Sequence, residues 1–292
     1  MARCQITLPP DYRTADIIAW HVRDPQPVSE KWDNGTLYKG LTWQGRPACL
    51  TLHFQDGRAE ASLDVGNTND TAFVSTVRKI LGLDQDIDSF EQSVIDHPDL
   101  GPLVSRQRGL RVPVAASPYE ALIWAIVGQQ ISVQAAISIR RRFVQTAGRQ
   151  HAGGLWCHPD AETVADMPAT ALREAGLSAS KVQTILTVSQ AIARGDMVLP
   201  EHLDTVTAAQ LQEQLMSIRG IGVWTADYTL LRGYGWLDGS LHGDAAVRRS
   251  LRNILQHDEP VSAEHARTWL QPFSPWRALA AAHLWAALRL QA

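Results

Sequence analysis

Two features between Leu215 and Leu251 are suited to chemistry: the turn Gly220-Ile221-Gly222 and the carboxylate of Asp244. The turn lies between two segments of helical apolar spacing. Leu211, Leu215 and Ile218 mark the first, with Thr207 and Gln210 read as its capping box, and the second restarts at Val223. Glycine at both ends lets the backbone bend tightly and lets another chain approach where a Cβ would stand. The N–H groups that open the second helix are free and sit at its positive end, so the turn can receive an anion. This reading sets Arg219, Gly220, Ile221, Gly222, Val223 and Thr225 beside a phosphate backbone. A helix-hairpin-helix of this kind tracks nucleic acid without reading bases. The same glycines would equally suit a tight interhelical turn that binds nothing. Asp244 stands directly ahead of Ala245-Ala246-Val247, the place of an N-cap. Cap and chemistry are compatible, because a helix N-terminus stabilises a carboxylate's charge and fixes its angle.

The pattern continues through Trp224-Thr225-Ala226, Tyr228, Leu230, Arg232-Gly233 and the run from Asp244 to Arg249. Farther out it takes in Gly128-Gln129-Gln130-Ile131-Ser132 and Pro275-Trp276-Arg277, with His283 and Trp285. In these residues, over essentially its full length, the chain resembles the helix-hairpin-helix DNA glycosylase superfamily, and within it the AlkA-type 3-methyladenine glycosylases. The resemblance implies an α+β fold: an N-terminal antiparallel β-sheet domain with helices, followed by two mostly α-helical domains. The expected divisions are 1–84 for the β-rich domain, 117–234 for the helical domain with the hairpin, and 85–116 plus 235–292 for a second helical domain carrying the catalytic aspartate. By the same resemblance Asp244 is that aspartate, and Trp224, Tyr228 and Trp276 line the base pocket. Gln129 and Gln130 form a corner against the DNA, with Gln130 at the position that plugs the gap left by an everted base. His242 and Arg248 are expected to touch DNA as well. The chain departs from AlkA in having glutamine at the plug where AlkA has leucine, His242-Gly243 before the aspartate in place of Pro-Asp, and Ala245 after it in place of tyrosine, which widens the pocket.

Cleavage of a glycosidic bond passes through an oxocarbenium-like sugar that needs a nearby negative charge and a water. Family members that also nick DNA carry a lysine in the hairpin helix; here that position is Trp224, and no lysine follows Lys181. The expected enzyme is therefore monofunctional. Aromatic walls stack an everted base and attract one made cationic by alkylation, by ~1 to 2 kcal/mol when desolvated. Alkylated purines in double-stranded DNA are the expected substrates. The alternatives are a glycosylase for deaminated, oxidised or bulky bases on the same scaffold and, in a different class, a non-catalytic binder of distorted DNA. No redox cofactor or catalytic metal is implied, although a monovalent cation could bridge the Gly220 and Gly222 carbonyls to a phosphate.

The remainder of the chain must position these groups. At 292 residues, 45% hydrophobic and 20% charged, it can bury more than one core. The start lacks a basic region followed by an apolar run, and no segment reaches transmembrane length, so a cytoplasmic, monomeric protein away from membranes is expected. The scattered Cys4, Cys49 and Cys157 make neither a disulfide framework nor a four-cysteine cluster. A net charge of −3 does not advertise a nucleic-acid binder, but backbone amides escape that count. Arg140-Arg141-Arg142 and Arg248-Arg249 with Arg252 are basic clusters on helical patterns, each consistent with a solvated face.

Alternation from Leu37 to Val65, with turns at Gln44-Gly45 and Asp56-Gly57, predicts an antiparallel meander, and Phe73 to Leu81 a helix stopped by Gly82. Residues 83–116 read as a connection. Ser117-Pro118-Tyr119-Glu120 opens a helix that ends at Gly128, and Ser132 caps the next. One helix is expected from Ala161 to Ala175 and another from Ser178 to Gly195. Beyond Asp244, helices run over Val247 to Leu255, from Ser262, and from Ser274-Pro275 to the end, making an all-helical array from Ser117 onward.

Overall fold

The computed structural model describes residues 1–66 and 70–290. Five strands form one antiparallel sheet in the order β1-β5-β4-β3-β2: β1 Ala2–Thr7, β2 Glu30–Asp33, β3 Thr36–Trp43, β4 Arg46–Gln55 and β5 Arg58–Leu63. The meander is β3 to β5, as the alternation predicts. Its two-residue turns, Gln44-Gly45 and Asp56-Gly57, have positive φ at both positions (48° and 74°; 49° and 71°), the twist a hairpin between adjacent strands requires. Asn34-Gly35 makes the same turn between β2 and β3. Alternate residues Leu50, Leu52, Ala59, Ala61 and Leu63 are buried against α2 (Thr71–Ile80) through Phe73, Val77 and Ile80. Before β2 lies α1, Thr14–His21, which the periodicity did not announce.

The connection 83–116 folds into α3 (Ile87–Ser93) and α4 (Leu100–Ser105), whose Phe90, Leu100 and Val104 enter the core of the helical part. That core is shared by α5 (Pro118–Gly128), α6 (Val133–Ala147), α9 (Ala179–Ala193), α10 (Thr205–Met216), α11 (Val223–Tyr234), α12 (Ala245–Ile254), α13 (Ala263–Leu270) and α14 (Arg277–Leu290). The caps at Ser117, Ser132, Ser178 and Ser262 form as their residue types dictate.

Four expectations need correction. The capping box of α10 is Asp204 with Thr207, because Asp204 precedes the helix and Thr207 is its N3 residue; Gln210 lies inside. The single helix over 161–175 is two, α7 (Ala161–Ala165) and α8 (Ala169–Glu174), broken where Pro168 disfavours helical geometry in Met167. The last helix begins at Arg277 rather than at Pro275. Nor is the chain wholly helical after Ser117: Arg149–Gln150 (β6) pairs with Trp156–Cys157 (β7), and the Trp156 N–H reaches across to the Val28 carbonyl at 2.8 Å.

Sheet and helices are joined by a buried ion quartet. Lys39 Nζ donates to Glu30 (2.7 Å) and Glu120 (2.8 Å), and Arg140 donates to the same two carboxylates, at 2.7 and 2.9 Å. Burial alone would raise both glutamates, but the two cations outweigh it and hold them below the usual carboxylate range. Arg140 is therefore not part of a solvated basic face. Arg141 pairs with Asp24 at 2.6 Å, and Arg142 donates to the Ala175 carbonyl. The arginine run is architecture.

Candidate active site

Leu211 and Leu215 bury one face of α10, and the chain then turns at Gly220 with φ +97°. A Cβ there would lie 2.2 Å from Thr184 Oγ1, which itself donates to the Arg219 carbonyl. Glycine at 220 is thus demanded by the protein's own packing. Gly222 differs: its φ is −101°, and nothing lies within 4 Å of where its Cβ would be. It is the N-cap of α11, no side chain caps that end, and Val223 is 39% exposed. Ile221 points inward and is buried, while Arg219 is exposed. The first-turn N–H groups of α11 have no intrahelical acceptor. The open end is suited to an anion arriving from outside.

The corner after α5 is fastened to this turn. Gln129 Nε2 donates to the Gly220 carbonyl (2.9 Å) and to Thr225 Oγ1 (2.8 Å), while Lys181 Nζ donates to the Val127 and Gln129 carbonyls, both at 2.8 Å. So tethered, the corner presents Gln130 outward at φ +56°, beside exposed Ile131 and Val133. A glutamine in the left-handed region is uncommon and persists where its surroundings fix it.

Asp244 is the N-cap of α12. Its Oδ1 accepts from the Ala246 and Val247 N–H groups (2.8 and 3.0 Å) and from Trp285 Nε1 (3.1 Å); its Oδ2 accepts from Trp224 Nε1 (2.9 Å). Four donors and no cation converge on a part-buried carboxylate. Trp224, at the start of α11, stacks on Tyr228 (centroids 5.2 Å apart), and Tyr228 meets Trp285 of α14 at 6.1 Å. Hairpin, carboxylate and aromatic wall are thereby one construction, because Trp224 belongs to all three. Tyr228 Oη accepts from Trp124 Nε1 at 2.9 Å, so Trp124 supports the wall rather than serving only as core filler.

A scan of the sequence against family models matches residues 123–275 to the HhH-GPD superfamily base excision DNA repair proteins. The chain belongs to that superfamily. Residues 5–117 match the AlkA N-terminal domain, so both halves find relatives in the AlkA arrangement. A DNA-3-methyladenine glycosylase of Bacillus subtilis is 26% identical over 218 residues, covering 74% of this chain and 72% of its own. DNA-3-methyladenine glycosylase 2 of Escherichia coli is 27% identical over 190 residues, covering 64% and 63%. Among solved structures, a 3-methyladenine DNA glycosylase of Archaeoglobus fulgidus superposes with a TM-score of 0.80 at 22% identity, over 98% of each chain. An 8-oxoguanine glycosylase/lyase of Clostridium acetobutylicum bound to double-stranded DNA gives 0.72 at 15%, over 96% of this chain and 93% of that one. Likeness at such identities establishes the fold.

Trp224 bonds to Asp244 and Tyr228 packs on Trp224, and Trp276 does not join them. It packs on Phe90 (6.3 Å) and lines a different cavity of about 560 Å³ with Tyr234, Trp236 and Leu237. Trp285 takes the place beside Asp244, two and a half helical turns farther along the chain. Trp285 is part of the sequence motif without an assigned role there; it lies inside α14, whereas Trp276 precedes that helix. His242 turns back on its own loop, with Nδ1 3.0 Å from the Ser240 hydroxyl and 3.1 Å from its carbonyl, and Arg248 is part-buried on α12. The Gly220 carbonyl accepts from Gln129 and the Gly222 carbonyl from the Ala226 N–H. Among the described residues, no cluster of three His, Cys, Asp or Glu is placed to hold a metal ion, and no helix is long and apolar enough to cross a membrane.

Asp227, also on α11, was not singled out by sequence. It is buried, Gln212 Nε2 donates to its Oδ1, and its Oδ2 meets no partner among the described residues. Burial pushes it up to about 7 against the opposing pull of Gln212 and Arg277. Gly239 of the loop leading to Asp244 passes so close that a Cβ there would lie 3.0 Å from Asp227 Cβ.

Proposed function

We propose that the protein is a monofunctional DNA glycosylase that hydrolyses the N-glycosidic bond of alkylated purines everted from double-stranded DNA. The observation that carries this reading is the sharing of Trp224: it opens the hairpin helix, walls the aromatic group and binds Asp244. A strand tracked by the first turn of α11 has its everted nucleotide delivered to that wall, where the base stacks. Asp244 then offers its charge to C1′ as the bond to the base lengthens, and water completes the substitution. The two indole donors fix the carboxylate's angle, so little reorganisation accompanies the developing charge. The purine leaves and an abasic site remains. Trp224 occupies the family's lyase-lysine position, and Lys181 is engaged by two carbonyls, so no amine is poised for a Schiff base. Gln130 fills the vacated stack from its outward corner.

Duplexes each carrying one lesion (a 3-methyladenine analogue, 7-methylguanine, hypoxanthine, ethenoadenine or 8-oxoguanine) test the reading directly. Expected are strand breaks only after alkali, with alkylated purines among the substrates. Breaks without alkali would contradict the monofunctional mechanism, and specific binding of damaged duplexes with no base released from any of them would favour a recognition protein.

A further inference from the structure

The loop that carries Asp244 is held at three places. At its start α14 clamps it: Arg277 Nε donates to Asp238 Oδ1 at 2.8 Å, and the Ala278 N–H donates to the Leu237 carbonyl at 2.7 Å. It then passes over Asp227, where Gly239 is buried and so near that a Cβ on it would stand 3.0 Å from the Asp227 Cβ. At its end Trp224 donates to Asp244 itself. Trp224 and Asp227 lie about one turn apart on α11, so the same face of that helix meets the loop at its middle and at its end. Asp227 also accepts from Gln212 Nε2 of α10. One carboxyl thereby touches both helices of the hairpin and the segment that leads to the catalytic group. It is 1% exposed, and among the described residues its Oδ2 has no partner. A group so placed is tolerated as a neutral acid and strongly disfavoured as an anion.

We infer that Asp227 is a positioning residue for excision: as the neutral acid it seats the loop that presents Asp244, and as the carboxylate it unseats that loop. The inference rests on the glycosylase reading and deepens it. Gln212 faces Asp227 from α10, Asp238 and the Ser240 N–H from the loop, and Arg277 from α14. Arg277 is itself paired with Asp238 at 2.8 Å, which weakens its hold on a second charge. Burial outweighs the pull of Gln212, Arg277 and Ser240 and holds the proton up to about 7. Its loss sets a negative charge against buried Gly239, with Asp238 as a like charge nearby. Lifting the loop lets water reach that charge. Asp244 lies on the same segment, so its carboxylate leaves the angle that Trp224 and Trp285 fix.

The experiment follows single-turnover release of 3-methyladenine from methylated duplex between pH 6 and pH 8, for the wild type, Asp227→Asn and Asp227→Ala. The wild-type rate should fall about tenfold over that range, as one group near 7 loses its proton. Asp227→Asn keeps the shape and stays neutral: it should match the wild type at pH 6 and not show the fall. Asp227→Ala should be about tenfold slower at both ends of the range with duplex affinity unchanged, because the seat is gone while the strand contacts remain. A packing role alone would not give a proton-dependent rate that asparagine abolishes. A flat wild-type profile, or a fall shared by the wild type and Asp227→Asn, overturns the inference; if Asp227→Ala does not fold, that pair of profiles still decides. Hydrogen exchange tests the same joint without catalysis. Corrected for intrinsic exchange, protection of the amides of residues 239–243 should drop about tenfold from pH 6 to pH 8 in the wild type and hold in Asp227→Asn. Equal protection in the two proteins overturns the inference and leaves the glycosylase reading intact, whereas the expected drop in a protein that releases no base overturns only that reading.

Discussion

Two polar clusters in this molecule are handled in opposite ways. In the seam between sheet and helices, Glu30, Lys39, Glu120 and Arg140 pair their charges with one another, and each is less than a tenth exposed. Around Asp244 the donors converge on one part-buried carboxylate with no counter-ion among them, and the neighbouring first turn of α11 is left without a cap. The seam is closed electrostatically and asks nothing of the surroundings. On the proposed function, phosphate and a sugar that develops positive charge arrive at the groove from outside. Which charges a chain neutralises internally separates its architecture from its recognition surface.

Substitutions should divide accordingly. The largest effect is expected from Asp244→Asn, which keeps a good N-cap but removes the charge: excision should fall by about a thousandfold, while the thermal midpoint stays within a few degrees, measured by single-turnover kinetics and circular dichroism. Retention of activity would erase the distinction at its centre. Lys39→Met, in the seam, should do the reverse. It leaves two buried carboxylates with one cation and should cost about 3 kcal/mol in denaturant unfolding, with the excision rate of the folded fraction close to wild type.

Asp227 sharpens the contrast by lying between the two kinds of site, buried like the seam but left with one oxygen unanswered. Its folded value is raised to about 7 from an unfolded value of 3.8, so the folded state holds the proton more tightly. The sign follows: its contribution to stability is present below pH 4 and is lost as pH rises through 7. Asp227→Asn should remove that part of the slope and make the protein more stable at pH 8 by about 2 kcal/mol, and an unaltered pH profile would count against the raised value. The smallest effects separate the two glycines. Gly220→Ala should destabilise by about 1 to 3 kcal/mol, from left-handed strain and the clash with Thr184. Gly222→Ala should leave stability within about 0.5 kcal/mol and weaken duplex binding a few-fold, because the new methyl stands only in the path of the strand.

What could be read in the sequence was what lies close together along it. The hairpin, the cap at Asp244, the serine caps and the meander from Leu37 to Val65 all depend on neighbours within a few residues. What was missed depends on distant ones. β1 is recognisable as a strand only beside β5, more than fifty residues later, and the quartet draws on positions 30, 39, 120 and 140. Glu120 fits an N3 capping role locally, yet its side chain is claimed by Lys39, Arg140 and the Ala116 N–H. The exchange of Trp276 for Trp285 has the same origin, since which tryptophan meets Asp244 is decided by how α14 rotates against α11 and α12.

The seam also governs how the chain can be divided. Two of its four charges come from strands and two from helices, so a fragment beginning at Ser117 would keep the Arg140–Glu120 pair but lose Glu30 and Lys39, the other two members of the quartet. Sheet and helices are in this sense joined by charges that each part supplies to the other.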